Sequence, residues 1–248
     1  MKNFSLGLCS VSFRQNTPSQ ILASVKNVGL DCIEWGSDVH APYNNIDVLN
    51  NIADLQKKYD IFCSSYGTYF CIMRDKTEDI VNYINAAKIL GTNVLRVWCG
   101  EKGSSQFSES EKQELFAQCK KLAQIAKNEG ATLCMECHAG TFTDTAESSI
   151  ELMENVNSPN FKMYWQPYIK LSDKENVETA KMLSPYTENI HVFYWVNKKP
   201  QNLSNGSEVW REYLKNFSDK RALLLEFMPD GKIESLAKEA QALKKIIL

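Results

Sequence analysis

Thr132-Leu133-Cys134-Met135-Glu136-Cys137-His138-Ala139-Gly140 reads as a short apolar strand with a carboxylate and an imidazole at its exit, closed by a glycine. Side chains on a strand alternate between two faces. Thr132, Cys134, Glu136 and His138 therefore share one face, and Leu133, Met135 and Cys137 take the other. An ionised carboxylate on a buried strand is costly unless a metal, a cation or several hydrogen bonds receive it. On this stretch alone a structural salt bridge explains Glu136 as well as a functional site does. The balance moves because other strands of the chain end in the same way.

Working outward, strand and helix signals alternate from end to end. Leu6 to Ser10 is a short apolar strand, and Thr17-Pro18 opens a helix with the stripe Ile21, Leu22, Val25 and Val28, stopped at Gly29. Strands are expected at Cys32 to Trp35, Ile61 to Tyr66, Asn93 to Trp98, Phe161 to Gln166, Ile190 to Trp195 and Ala222 to Phe227. Helices are expected at 46–59, 77–90, 110–128, 144–156, 174–183, 208–216 and 233–247, the fourth helix in chain order opening on Ser108 and Ser110. Such strand–helix units, recurring roughly every 30 residues, are the rhythm of an α/β (β/α)8 TIM barrel. A doubly wound sheet would want a Gly-rich turn after its first strand, and Cys9-Ser10-Val11-Ser12-Phe13 contains no glycine. No Pro/Gly linker divides the chain, so residues 1–248 are expected to form a single domain.

Composition narrows the partners. The chain has 248 residues, 44% hydrophobic and 23% charged, with a net charge of −2 and no basic run, so it lacks the phosphate-neutralising face of a nucleic-acid binder. Met1-Lys2-Asn3-Phe4 runs straight into a strand without a secretory apolar region. No apolar run approaches the roughly 20 residues of a membrane span. A cytoplasmic protein is expected, with no membrane partner. The eight cysteines follow no disulfide framework; Cys134 and Cys137 lie on opposite faces of one strand and read as reduced, buried thiols.

In a (β/α)8 barrel the carboxyl ends of the strands face one bowl where chemistry is done. The exits here carry Glu34, Arg96, Glu136 with His138, Gln166, His191 and Glu226. Singly each reads as a satisfied ion pair or a core histidine. Strands five to eight are neighbours, however, and would set Glu136, Gln166, His191 and Glu226 around one quadrant. Two carboxylates, an imidazole and an amide oxygen suit a divalent ion such as Mn²⁺, Mg²⁺ or Zn²⁺.

Here the chain resembles the xylose isomerase-like TIM barrels of sugar phosphate isomerases and epimerases. That family is related to ketose 3-epimerases, inosose dehydratases and endonuclease IV-type enzymes. The resemblance covers nearly the whole chain and rests first on 29–42, Gly29-Leu30-Asp31-Cys32-Ile33-Glu34-Trp35-Gly36-Ser37-Asp38-Val39-His40-Ala41-Pro42. Ser65-Tyr66-Gly67, Leu95-Arg96-Val97-Trp98, Gly140-Thr141, Tyr164-Trp165-Gln166-Pro167, Ile190-His191-Val192 and Leu225-Glu226 support it. It implies metal ligation by Glu136, Gln166, His191 and Glu226. The family usually has Asp where this chain has Gln166, and a further His where it has Ile169, so the ion would be held more weakly.

The expected reaction is isomerisation or epimerisation of a sugar or sugar phosphate, by proton transfer next to a carbonyl. Glu136 and Glu226 would be the acid/base pair, with Glu34, His40, Tyr66, Arg96, Trp98 and His138 binding substrate. Trp35, Phe193 and Trp195 would join Tyr66 and Trp98 in walling the pocket. Asn202 to Ser207 and Asp230-Gly231 only faintly resemble phosphate-gripping loops, so a free sugar or polyol fits as well. A metal-dependent dehydratase of a cyclic polyol ketone needs the same groups, and sequence does not separate the two. A non-catalytic sugar-binding barrel is the reading Gln166 favours. An apurinic-site phosphodiesterase would need a histidine-rich zinc cluster, and the chain has three histidines. Assembly into a homo-oligomer is left open.

Overall fold

A computed structural model describes residues 4–218 and 220–248; Met1–Asn3, at the start of the expected run into the first strand, lie outside them. Eight parallel strands close into a barrel: β1 (Ser5–Cys9), β2 (Cys32–Gly36), β3 (Phe62–Ile72), β4 (Val94–Cys99), β5 (Thr132–Glu136), β6 (Phe161–Trp165), β7 (Thr187–Val192) and β10 (Ala222–Leu225). The ring closes where β1 pairs with β10, Leu6 opposite Leu223. A short antiparallel hairpin, β8 (Tyr194–Val196) with β9 (Lys199–Gln201), stands apart from the barrel sheet. The (β/α)8 barrel expected from the alternation is therefore the observed fold.

Among the described residues eight α-helices follow the strands, α1 (Pro18–Asn27), α2 (Ile46–Tyr59), α3 (Ile80–Leu90), α4 (Glu109–Glu129), α5 (Ala146–Val156), α6 (Asp173–Leu183), α7 (Ser207–Leu214) and α8 (Leu236–Ile247). Local chemistry fixes their starts. Thr17, Ser108 and Ser172 each form a capping box with the Gln or Glu three residues on, satisfying amides that have no partner inside the helix. β3 runs to Ile72, longer than expected, because Tyr69 and Phe70 continue the strand rather than open a loop.

Alternation along the barrel strands decides what meets inside. The outward face, with Leu133, Met135, Ile190 and Leu225, joins the large core under the helices. The inward face builds a small plug from Cys9, Cys32, Cys134, Tyr164, Ala222 and Leu224. Two residues further along the same inward faces come Glu34, Glu136, Gln166, His191 (from Asn189) and Glu226. A polar layer thus caps the plug at the carboxyl ends of the strands. A register shift between β2 and β3 sets Ser65 opposite Glu34.

Candidate functional site

The polar layer is a single network built around Arg96 and His191. Arg96 donates from Nε to Glu34 Oε1 at 3.2 Å and from Nη1 to Glu136 Oε2. Trp98 Nε1 adds a 2.8 Å hydrogen bond to the same Glu136 oxygen. His191, fully buried, turns its two nitrogens to different sides. Nδ1 lies 3.1 Å from Gln166 Oε1, 3.3 Å from Glu226 Oε2 and 3.6 Å from Glu136 Oε1. Nε2 lies 3.4 Å from Glu34 Oε1, an ion-pair distance without the alignment of a hydrogen bond. The Gln166 amide has a fixed sense, since its Nε2 donates to the Cys137 carbonyl at 2.8 Å and leaves Oε1 facing His191.

Electrostatics separate the carboxylates. Burial would raise Glu34, but the charges of His191 and Arg96, with the hydrogen bond from Ser65, outweigh it and hold the pKa at about 2. Glu136 is likewise pulled well below the usual carboxylate range, chiefly by Arg96 against burial. Glu226 goes the other way. Burial raises it and the negative charges of Glu136 and Glu34 add to that, while His191 and Arg96 oppose, so its pKa sits at about 7. Burial opposes a charged His191, yet Cys9, Glu226 and Glu34 hold its pKa well above the usual histidine value. The Cys9 thiol is itself pushed up by burial and stays protonated, so the carboxylates carry that effect.

Above this layer opens a cavity of about 900 Å³, lined by Arg96, Trp98, Glu136, His138, Gln166 and Glu226 among others. Its aromatic residues form two groups. Tyr69 packs on Trp98, whose ring stacks on His138 at 4.9 Å. Phe193, Trp195 and Phe227 pack mutually edge to face, and the buried Trp195 Nε1 has no hydrogen-bond partner among the described residues. Trp98, Phe193 and Trp195 thus stand where the sequence reading expects them.

Other expected contacts lie elsewhere. Glu34 sits behind Arg96 and does not line the cavity. His40 is tied down by Ser10 Oγ at 3.1 Å and the Asn16 carbonyl at 3.2 Å, which hold the loop after β2. Tyr66 is fully buried, its hydroxyl donating to the Ala41 carbonyl. Trp35 is core, donating to Gln56 Oε1. Substrate-facing roles for these four find no support in this geometry, because each polar tip is consumed inside the fold. Sequence reasoning also passed over Arg14, Tyr69 and Phe227, all of which line the cavity. Arg14 and Phe227 sit in loops beyond the strands, where no periodicity marks which way a side chain faces, and Tyr69 sits in the part of β3 beyond Tyr66, where the sequence reading ends that strand.

The residues fit a divalent ion. Glu136, His191 and Glu226 can offer ligand atoms all within 4.8 Å of one another, Gln166 Oε1 is turned toward the same imidazole nitrogen, and Glu226 Oε2 is buried with no donor.

Residues 22–243 match a protein-family model described as xylose isomerase-like TIM barrel. A 3-dehydroshikimate dehydratase from Bacillus anthracis is 27% identical over 197 residues, covering 74% of this chain and 69% of that protein. An inosose dehydratase from Histophilus somni (strain 129Pt) is 23% identical over 213 residues, 76% of this chain and 70% of that protein. Among solved structures, a D-allulose 3-epimerase from Methylomonas sp. matches with a TM-score of 0.74 at 13% identity, over 100% of this chain and 99% of that one, a likeness of fold alone.

Proposed function

We propose, from the premise that this chain belongs to the xylose isomerase-like TIM barrel family, that it is a dehydratase removing water from a cyclic hydroxy ketone. Relatives named as dehydratases support this reading over the isomerase or epimerase expected first, which has only a likeness of fold behind it. The observation that carries it is geometric: Glu136 and Glu226, at the exits of β5 and β10, line one cavity with carboxylate oxygens 3.6 and 3.3 Å from the same His191 nitrogen. Two carboxylates that face one cavity can take a proton from a substrate and return one to it.

Glu136, kept ionised by Arg96 and Trp98, takes the proton next to the carbonyl. The electron pair left behind forms the carbon–carbon double bond as the hydroxyl β to the carbonyl departs. Glu226, the other carboxyl of the cavity, gives that hydroxyl the proton with which it leaves as water. Atoms balance as ketone to unsaturated ketone plus water, with no change of oxidation state. A divalent ion (Mn²⁺, Mg²⁺ or Zn²⁺) held by Glu136, Gln166, His191 and Glu226 would supply positive charge for the oxygen on which negative charge develops. Trp98, His138, Phe193, Trp195 and Phe227 line the cavity with ring faces and edges that shield the reacting ring from water.

The test is turnover of 3-dehydroshikimate and of inosose in D₂O with Mn²⁺, followed by ultraviolet absorbance of the unsaturated product. Water loss from either supports the reading. Deuterium entering the recovered substrate or its epimer, with no water lost, would return the protein to the epimerases.

A further inference from the structure

Glu34 is a fully served carboxylate with no share of the cavity. Oε1 faces Arg96 Nε at 3.2 Å, His191 Nε2 at 3.4 Å and Cys9 Sγ at 3.9 Å, and Oε2 accepts from Ser65 Oγ at 2.9 Å. The fold makes room for it. A Cβ on Gly67 would stand 2.8 Å from Glu34 Oε1 and 3.0 Å from Arg96 Nη2, and the β2–β3 register shift is what sets Ser65 opposite.

We propose that Glu34 is a positioning residue for His191: it takes the Nε2–H side of the ring and leaves Nδ1 turned toward Glu136, Gln166 and Glu226, ready to ligate a divalent cation. A carboxylate on the far nitrogen of a ligating histidine fixes its tautomer and orientation. The Tyr164 ring, edge-on to the imidazole at 5.1 Å, limits how far it can rotate. Cys9, Glu34 and His191 do not make a rival ion site, because the Arg96 guanidinium already holds the Glu34 oxygen such an ion would need. The inference rests on the ligand set of the proposed function.

The experiment uses protein labelled with ¹⁵N-histidine; with three histidines in the chain, His191 is assignable by substitution of the other two. Zn²⁺ alone is the probe, read by calorimetry and by long-range ¹H–¹⁵N spectra. In the wild type His191 should show a metal-bound Nδ1 and a protonated Nε2. Glu34→Gln should weaken Zn²⁺ binding about 10- to 100-fold and lose that signature. Should Glu34→Gln not fold, Gly67→Ala decides, since it displaces Glu34 without changing a charge and should shift both readouts the same way. A wild type that binds no Zn²⁺ would remove the ligand set, and this inference with it. Binding through Nε2, or folded variants that match the wild type in affinity and spectrum, would overturn the inference while leaving the ligand set standing.

Discussion

Glu34 and Glu226 are both buried glutamates at the exits of barrel strands, each beside the same imidazole, and they differ in what donates to them. Glu34 has hydrogen-bond donors on both oxygens, from Arg96, Cys9 and Ser65. Glu226 has an orphaned Oε2 and borders the cavity. A buried carboxylate can be a settled structural charge or a group poised to exchange a proton, and donors decide which. The closed side of His191 therefore serves stability and orientation, and the open side is where a substrate's proton would be handled.

The sharpest way to break this contrast is to neutralise one acid on the open side. Glu226→Gln should cut turnover on the dehydratase substrate by about 10²- to 10⁴-fold, the range for loss of a proton-transferring group, with circular dichroism unchanged. Glu136→Gln should do the same. Retained turnover in both variants would end the acid/base assignment.

The closed side predicts the opposite division of effects. Arg96→Met leaves Glu34 and Glu136 buried without their shared cation, and breaking a buried pair in this way costs about 3–5 kcal/mol. Urea unfolding should show that loss at neutral pH, and the loss should shrink in acid as the stranded carboxylates protonate. A variant as stable as wild type at pH 7 would mean that the network carries no structural load.

Acid and base titration should then resolve the two sides in the metal-free protein. Glu226 has a folded pKa of about 7, above the unfolded value of about 4.3. Its stabilising share is thus fully present below about pH 4 and fades as pH rises through 7. Glu34, at about 2, is depressed, so its share is present above about pH 4.3 and fades as pH falls toward 2. Unfolding measured in EDTA from pH 5 to 8 should therefore show wild type losing stability relative to Glu226→Gln, by at most about 1.4 kcal/mol for each pH unit. Parallel curves would place the Glu226 proton outside the folding equilibrium.

How much of this was legible beforehand follows from geometry. Strand alternation carried Glu136, Gln166, His191 and Glu226 to one face of one bowl, because each is separated from an inward-facing neighbour by a single residue. The eight-fold alternation, with Thr17, Ser108 and Gly29 as punctuation, was likewise enough for the barrel. The different tasks of Glu34 and Glu226 were not legible, since both are lone acids in apolar strands; only three-dimensional packing reveals that Arg96 leans on one of them. His40 and Tyr66 failed as cavity residues for a related reason. Their polar tips close turns to Ser10, Asn16 and Ala41, contacts that no local pattern announces. The β8–β9 hairpin was missed because its turn, Asn197-Lys198, lacks the glycine that marks such turns.

That turn yields the smallest effect and bears on where the molecule stores strain. Asn197 and Lys198 both have positive φ (51° and 60°), as does Phe227 (60°) directly after Glu226, and Lys198 and Phe227 line the cavity. The β2 segment bearing Glu34 contains no such residue. Positive φ occurs elsewhere too, at Asp60, Met73, Asn157 and Lys220, but of these residues only Lys198 and Phe227 line the cavity. A two-residue hairpin with positive φ at both central positions favours Asn-Gly, because glycine alone adopts that region without a steric penalty. Lys198→Gly should relieve the strain at a partly offsetting cost in unfolded-chain entropy, so stability should rise by about 0.5 kcal/mol. Thermal unfolding checks the sign. A fall of similar size would show that the Lys198 side chain, rather than the turn geometry, holds the hairpin over the cavity.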